Sequence, residues 1–333
     1  MYEAFYGLRD QPFRLTPDPS FMCMTTHHQE ALAGLVYSVC TRPGLTLLTG
    51  DAGTGKTTLL YTLLDLLSKR RYVTATCTNP VLNREELYDL LITKFGVVCA
   101  SALKSRQLAG LEDMFIRYRN DGRPAVLIVD EAHRLPMDLL EEIRLLLNME
   151  TPREKLLQII LAGQSELDDL LRLPELRQLK QRVSAHCRLR PLTSFELKEY
   201  VDHRLSLAGL PGQTLFPDAV VQRLHEYSKG IPRLINNLCD ATLQIGFATR
   251  TASITLTMVE EAAKDLDLTS RELLPDSRAT ESVFSHASDE QRTNGHATVF
   301  DSHAAVEPRV PVASHSTRQK SVSFFAGLVD RWK

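Results

Sequence analysis

Short apolar runs alternate with helix-spaced patterns between residues 44 and 190. The runs fall at 45–49, 72–77, 125–129, 157–162 and 185–189. They are mostly continuous in hydrophobicity rather than alternating. That is the pattern of strands buried on both faces of a parallel sheet. Between them, Leu139, Leu140, Ile143, Leu146 and Leu147 recur at three- and four-residue intervals after Pro136, a residue suited to a first helical turn. The series predicts an α/β fold: a βαβ succession building a covered five-stranded parallel sheet over residues 1–190.

From Thr193 onward the pattern is helical only. Thr193 and Glu196 have capping-box spacing, as do Thr257 and Glu260. Pro217 suits a first turn, and Pro232 precedes an apolar-rich run from Leu234 to Phe247. A small all-helical unit is expected over 191–269. The stretch 270–333 is rich in Ser, Thr, His, Asp and Arg and lacks periodicity, which reads as a disordered tail. Its last residues, 323–333, carry Phe324, Phe325, Leu328, Val329 and Trp332. They read either as a frayed end or as a short docking helix.

Composition changes this picture little. Of 333 residues, 43% are hydrophobic and 24% charged, as in soluble globular proteins. A net charge of -2 gives no bulk attraction for nucleic acid or anionic membrane. The six cysteines, Cys23, Cys40, Cys77, Cys99, Cys187 and Cys239, form no CxxC pair and read as reduced thiols. No run has signal-peptide character or approaches the roughly 20 apolar residues of a membrane span. The expected location is the cytoplasm, with peripheral association at the inner membrane as its extension.

The chemistry is concentrated at the strand ends. Gly50-Asp51-Ala52-Gly53-Thr54-Gly55-Lys56-Thr57 matches the P-loop pattern in full, between an apolar run and a helical run that starts at Thr58. Glycines let backbone N–H groups curve around phosphate oxygens, and a helix N-terminus adds partial positive charge there. Lys56 supplies a full charge to the β- and γ-phosphates, and Thr57 a hydroxyl to Mg²⁺. This pattern implies ATP and Mg²⁺. The third run, 125–129, ends in Asp130-Glu131, placing two carboxylates at the ligand-binding edge of the sheet. Asp130 is expected to hold Mg²⁺, and Glu131 to activate the attacking water. Asp130-Glu131-Ala132-His133 spells the DEAH of helicases, but no second helicase-like block follows. His27-His28 reads as cap or surface, Met22-Cys23-Met24 as packing, and Lys69-Arg70-Arg71 as a solvated helix end.

Further blocks join these. They are Phe5-Tyr6-Gly7-Leu8, Pro12-Phe13, Thr16-Pro17-Asp18-Pro19, His28-Gln29-Glu30-Ala31-Leu32 and the run from Glu142 to Thr151. Leu161-Ala162-Gly163-Gln164-Ser165-Glu166-Leu167, Gln178-Leu179-Lys180-Gln181-Arg182 and Gly230-Ile231-Pro232-Arg233 complete the set. Together they resemble the AAA+ ATPases of the general secretion pathway protein A (ExeA-type) family, over residues 1 to about 268.

The resemblance implies sensor roles for Gln164 and Arg233 and an arginine-finger role for Arg182, acting on a neighbouring subunit, with Arg177 a weaker candidate. It implies an adenine pocket lined by Pro12-Phe13 and nearby apolar residues, and a restraint on Glu131 by Asn79. Long members of that family continue into a membrane helix and a periplasmic peptidoglycan-binding domain, which 270–333 does not resemble. Two roles stay open. One is a homo-oligomeric ATP hydrolase that assembles or remodels a cell-envelope export machine through protein partners. The other is an ATP-dependent oligomeric switch acting on DNA.

Overall fold

The computed structural model describes residues 1–268 except 17, 79, 99–102 and 213, together with the side chain of residue 19. The tail 270–333, with its candidate helix, lies outside the described residues, as do Cys99 and Asn79.

Five parallel strands form one sheet in the order β2-β3-β4-β1-β5. They are β1 Leu45–Thr49, β2 Val73–Cys77, β3 Ala125–Val129, β4 Leu157–Gly163 and β5 Val183–Arg188. Helices α1 Tyr2–Tyr6 and α2 Thr26–Thr41 precede the sheet. Helices α3 Lys56–Lys69, α4 Arg84–Lys94, α5 Lys104–Asn120, α6 Met137–Leu146, α7 Glu166–Leu170 and α8 Arg177–Lys180 connect its strands.

Successive residues of a strand point to opposite faces, and here both faces are covered. Leu47, Leu127 and Ile159 pack with Leu87, Phe115 and Ile143 of α4, α5 and α6. Their neighbours Leu48, Ile128 and Ile160 pack with Leu32 and Leu35 of α2 and Leu59 and Leu63 of α3. The continuous apolar runs at β1, β3 and β4 therefore mean what the sequence suggests. The edge strands differ. β5 alternates half-buried and exposed positions, with Ser184, His186 and Arg188 facing outward. It starts at Val183 rather than 185, because an edge strand carries polar residues on its free face and shows no apolar run at that end.

Four helices follow: α9 Ser194–Leu207, α10 Asp218–Ser228, α11 Pro232–Ala248 and α12 Leu256–Asp265. The Thr193/Glu196 capping box forms: Thr193 N–H donates to the Glu196 carboxylate at 2.9 Å, and Glu196 N–H to Thr193 Oγ1 at 3.3 Å. The second expected box does not. Helix α12 begins at Leu256, so Thr257 is already inside it and cannot cap.

The N-terminal segment packs onto these helices. Tyr2, Tyr6, Leu8, Phe13 and Phe21 join Leu197, Val201, Phe216, Leu238 and Val259 in one buried cluster. Phe13 stands edge-on to Phe216, with ring centroids 6.0 Å apart and planes at 89°. Residues 2–21 belong by sequence order to the expected 1–190 unit, yet their apolar side chains complete the core of the helical one. Gly230 then fixes how α11 departs. Its φ is +76°, its carbonyl accepts from Leu192 N–H at 2.8 Å, and a Cβ there would lie 2.0 Å from Leu192 O.

Phe13 is 1% exposed. Phe13→Ala is expected to lower the unfolding free energy of the full chain by about 3–5 kcal/mol, read from urea denaturation. A loss below about 1 kcal/mol would remove Phe13 from the shared core.

Candidate functional site

Strand β1 delivers the chain to the P-loop, and α3 begins at Lys56 with Gly55 as its N-cap at φ +96° and no side-chain cap. The first N–H groups of α3 therefore have no side chain of their own cap to satisfy them, which is the arrangement that receives an anion. Gly53 also has positive φ, at +80°, so the turn suits glycine at both places. Lys56 is buried, and its Nζ donates to Gly50 O at 2.8 Å and Asp51 O at 3.0 Å. Burial pulls its pKa below the ordinary lysine value, against the opposing charges of Glu131, Asp130 and Asp51. Asp51 also accepts from Ser165 Oγ at 3.1 Å, tying the loop to the start of α7.

Strand β3 brings the carboxylates beside this loop. Thr57 Oγ1 donates to Asp130 Oδ2 at 2.8 Å, and Asp130 Oδ1 accepts from Glu131 N–H at 2.9 Å. Asp130 is buried behind Thr57, while Glu131 reaches the cleft. Glu131 holds φ +53°, an uncommon conformation for a residue with a side chain. Gln164, the first residue after β4, lines the same cleft. Its backbone N–H donates to His133 Nδ1 at 3.3 Å.

The cleft holds about 580 Å³, a size that suits a nucleotide. Ala52, Gly53, Thr54, Gly55, Lys56, Thr57 and Thr58 form its floor. Arg233, at the start of α11, also lines the cleft directly beside the loop, and its N–H donates to Gly53 O at 3.2 Å. The remaining wall comes from the N-terminal segment: Arg14, Leu15, Thr16, Asp18, Phe21 and the Met22–Cys23 pair. The expected adenine contact from Pro12-Phe13 is corrected. Phe13 is spent in the helical core, and Pro12 contributes its carbonyl, which accepts from Arg204 Nε at 2.5 Å. Arg204 is buried between the rings of Phe21 and Tyr200, and its guanidinium also meets Arg14 O at 3.4 Å. It holds residues 12–14 against α9, and so shapes that wall.

His28 is a second correction, because it is neither a cap nor a surface residue. It is 5% exposed and lines the cleft. Its Nε2 lies 3.2 Å from Thr54 O, so it donates there, and Nδ1 accepts from Thr25 Oγ1 at 2.7 Å. The signal was present as a histidine at one turn's spacing from a threonine, on the helix preceding β1. Arg182 does not line the cleft of its own chain. It precedes β5, whose Val183 pairs with Leu45 at the start of β1, so it sits at the sheet edge opposite the P-loop. The role expected of Asn79 falls outside the described residues.

The donor set therefore fits a magnesium nucleotide: uncapped N–H groups, a buried ammonium, and a hydroxyl–carboxylate pair. Among the described residues no group of three or more His, Cys, Asp or Glu side chains is placed to hold a metal ion. Comparison with known proteins agrees. Residues 40–171 match the family described as AAA domain. Over 255 residues the chain is 41% identical to general secretion pathway protein A of Aeromonas hydrophila, covering 74% of this chain and 45% of that protein.

The chain belongs to the AAA+ ATPases related to general secretion pathway protein A. It spans less than half the length of that relative. Solved structures show the same fold. Drosophila ORC bound to DNA superposes with a TM-score of 0.59 at 19% identity, covering 80% of this chain and 66% of that one. Cdc6p from Pyrobaculum aerophilum gives 0.57 at 16%, covering 79% and 70%. Nucleotide is present in a third, the ORC2 protein of Aeropyrum pernix in its ADPNP-ADP complexes, with a TM-score of 0.53 at 16% identity over 77% of this chain and 71% of that one. Among the described residues no helix is long and apolar enough to cross a membrane.

Burial lowers the pKa of His28 below its ordinary value. The unfolded chain then takes up that proton at higher pH than the folded one. Stability tied to neutral His28 is complete above about pH 6.5 and falls away below it. Thermal melting between about pH 7 and pH 5 should show a steeper loss for wild type than for His28→Gln. Equal slopes would show that His28 does not stay neutral against the loop.

Proposed function

We propose that this protein hydrolyses Mg-ATP to ADP and phosphate, and that it does so as a homo-oligomer. The observation that carries the reading is the cleft lined together by P-loop residues including Thr57, by Glu131 and by Gln164, with Asp130 bonded behind Thr57. Magnesium, when bound, neutralises phosphate charge and polarises the terminal phosphoryl group. Thr57 and Asp130 are the residues that would hold it. Lys56 and the loop N–H groups bind the β- and γ-phosphates. Glu131 accepts the proton of the attacking water. Gln164 orients that water, and Arg233 reaches the terminal phosphate from the helical side.

Arg182 is not among the residues that line its own cleft. Its place at the opposite sheet edge suits contact with the cleft of a neighbouring copy. The name of the Aeromonas relative supports a role in secretion. The proposed work is assembly or remodelling of an envelope export system, from the cytoplasm or peripherally at the inner membrane. The similarity to origin-recognition proteins is below 25% identity and supports the fold alone, so no observation favours the DNA switch.

Glu131→Gln keeps shape and loses basicity. It should bind nucleotide as wild type does and hydrolyse it at least about a hundredfold slower. Wild-type turnover in this variant would place water activation elsewhere. Lys56→Ala should lose affinity in a titration with a fluorescent ATP analogue, and unchanged affinity would remove Lys56 from its role.

The shared site has its own test. Arg182→Ala should bind ATP and lose turnover, since such fingers are worth roughly 10³–10⁵ in rate. Mixed with Lys56→Ala, it should regain activity at interfaces that pair an intact loop with an intact arginine. A mixture that forms hybrid oligomers and stays inactive would make Arg182 structural.

A further inference from the structure

His133 stands between the two groups that face the attacking water, and nothing in the roles assigned above uses it. It lies in the single turn Ala132–Arg134 that follows Glu131, and its side chain is only 13% exposed. Gln164 N–H donates to Nδ1 at 3.3 Å, so Nδ1 carries no proton and the neutral ring bears its hydrogen on Nε2. That Nε2 lies 3.5 Å from Glu131 Oε2 and 3.3 Å from the Gln164 carboxamide. The carboxamide atom placed there is Gln164 Nε2; with the ring hydrogen on His133 Nε2, the amide is assigned the other way, with its oxygen toward the ring. One imidazole thus touches the backbone and side chain of Gln164 and the carboxylate of Glu131. The close approach depends on Gly163: a Cβ there would sit 3.1 Å from the backbone N of His133. Glu131 itself is held at positive φ, a conformation that persists only where its surroundings enforce it.

The geometry points to His133 as a positioning residue that fixes the Glu131 carboxylate relative to Gln164, so that base and water-orienting amide act on the same point. This rests on the reading of Glu131 as the general base. His133 touches no nucleotide-facing wall of its own and acts through its two partners. Its contribution should therefore fall on turnover and not on binding.

Two amides separate the contacts. An asparagine amide reaches about as far as Nδ1 and can keep the bond from Gln164 N–H while losing Glu131. A glutamine amide reaches about as far as Nε2 and can still donate to Glu131.

The experiment is steady-state ATP hydrolysis by the full chain, with nucleotide affinity from a fluorescent ATP analogue and Tm for each variant. His133→Ala and His133→Asn should lower kcat at least about tenfold, the scale of a misplaced catalytic group, with affinity unchanged. His133→Gln should recover most of that loss. In a Glu131→Gln background, His133→Ala should add no further loss. If His133→Ala fails to fold, His133→Asn carries the comparison with His133→Gln.

Wild-type kcat in His133→Asn overturns the proposal, as does a kcat in His133→Gln as low as in His133→Asn. A rise in kcat would show that the ring restrains Glu131, and overturns it equally. An inactive Glu131→Gln beside a fully active His133→Asn sinks this inference alone. An active Glu131→Gln sinks the general-base reading and this inference with it.

Discussion

One backbone contact organises the rest of the molecule: Arg233 N–H donates to the carbonyl of Gly53 in the P-loop. It requires glycine at 53, because a Cβ there would lie 2.8 Å from Arg233 Cβ. The loop that curves its amides toward phosphate therefore also carries the N-terminus of α11. Gly230 aims that helix by letting Leu192 approach without a Cβ in the way. The cleft exists because the helical unit is seated on the loop at this junction. A ligand that fills the cleft contacts both units, so its binding energy depends on how they are arranged.

Electrostatics follow from the same enclosure. Lys56 is buried, and desolvation works against its charge. Asp130 and Glu131 oppose that cost from the end of β3, and phosphate would oppose it further. His28 shares the wall but stays neutral, donating to Thr54 O and adding no second buried cation. Arg204 is the exception, a buried guanidinium satisfied by backbone carbonyls, a tyrosine hydroxyl and two aromatic faces. Among the described residues no buried side-chain nitrogen or oxygen lacks a partner. A site this fully bonded is pre-organised, which is what electrostatic stabilisation of a charged transition state requires.

The P-loop, the strand-end carboxylates and the five strands, the start of β5 apart, were legible because each is local. A loop pattern and a continuous apolar run need no knowledge of the rest of the chain. What escaped was set by tertiary placement. Phe13 reads as a pocket residue beside Pro12, yet Phe216, some two hundred positions away, claims it for the helical core. His28 reads as a surface residue until α2 is packed under the P-loop. His133 looks like a letter of a motif until Gly163 lets its turn close on β4. β5 hides its start because an edge strand presents polar residues to solvent. The box at Thr257 fails because the helix starts two residues earlier, with Thr255 as its N-cap, which moves the expected cap into the helix.

The central claim is that one nucleotide binds between the P-loop and the helical unit, against the wall built by residues 14–23. Amide hydrogen exchange of the full chain with and without Mg-ADP tests it most directly. The account predicts new protection together in three segments, 50–58, 14–23 and 231–236, with α4 and α5 on the far sheet face unchanged. Protection of the P-loop without any change at 231–236 would contradict it, because the helical unit would then be no part of the site.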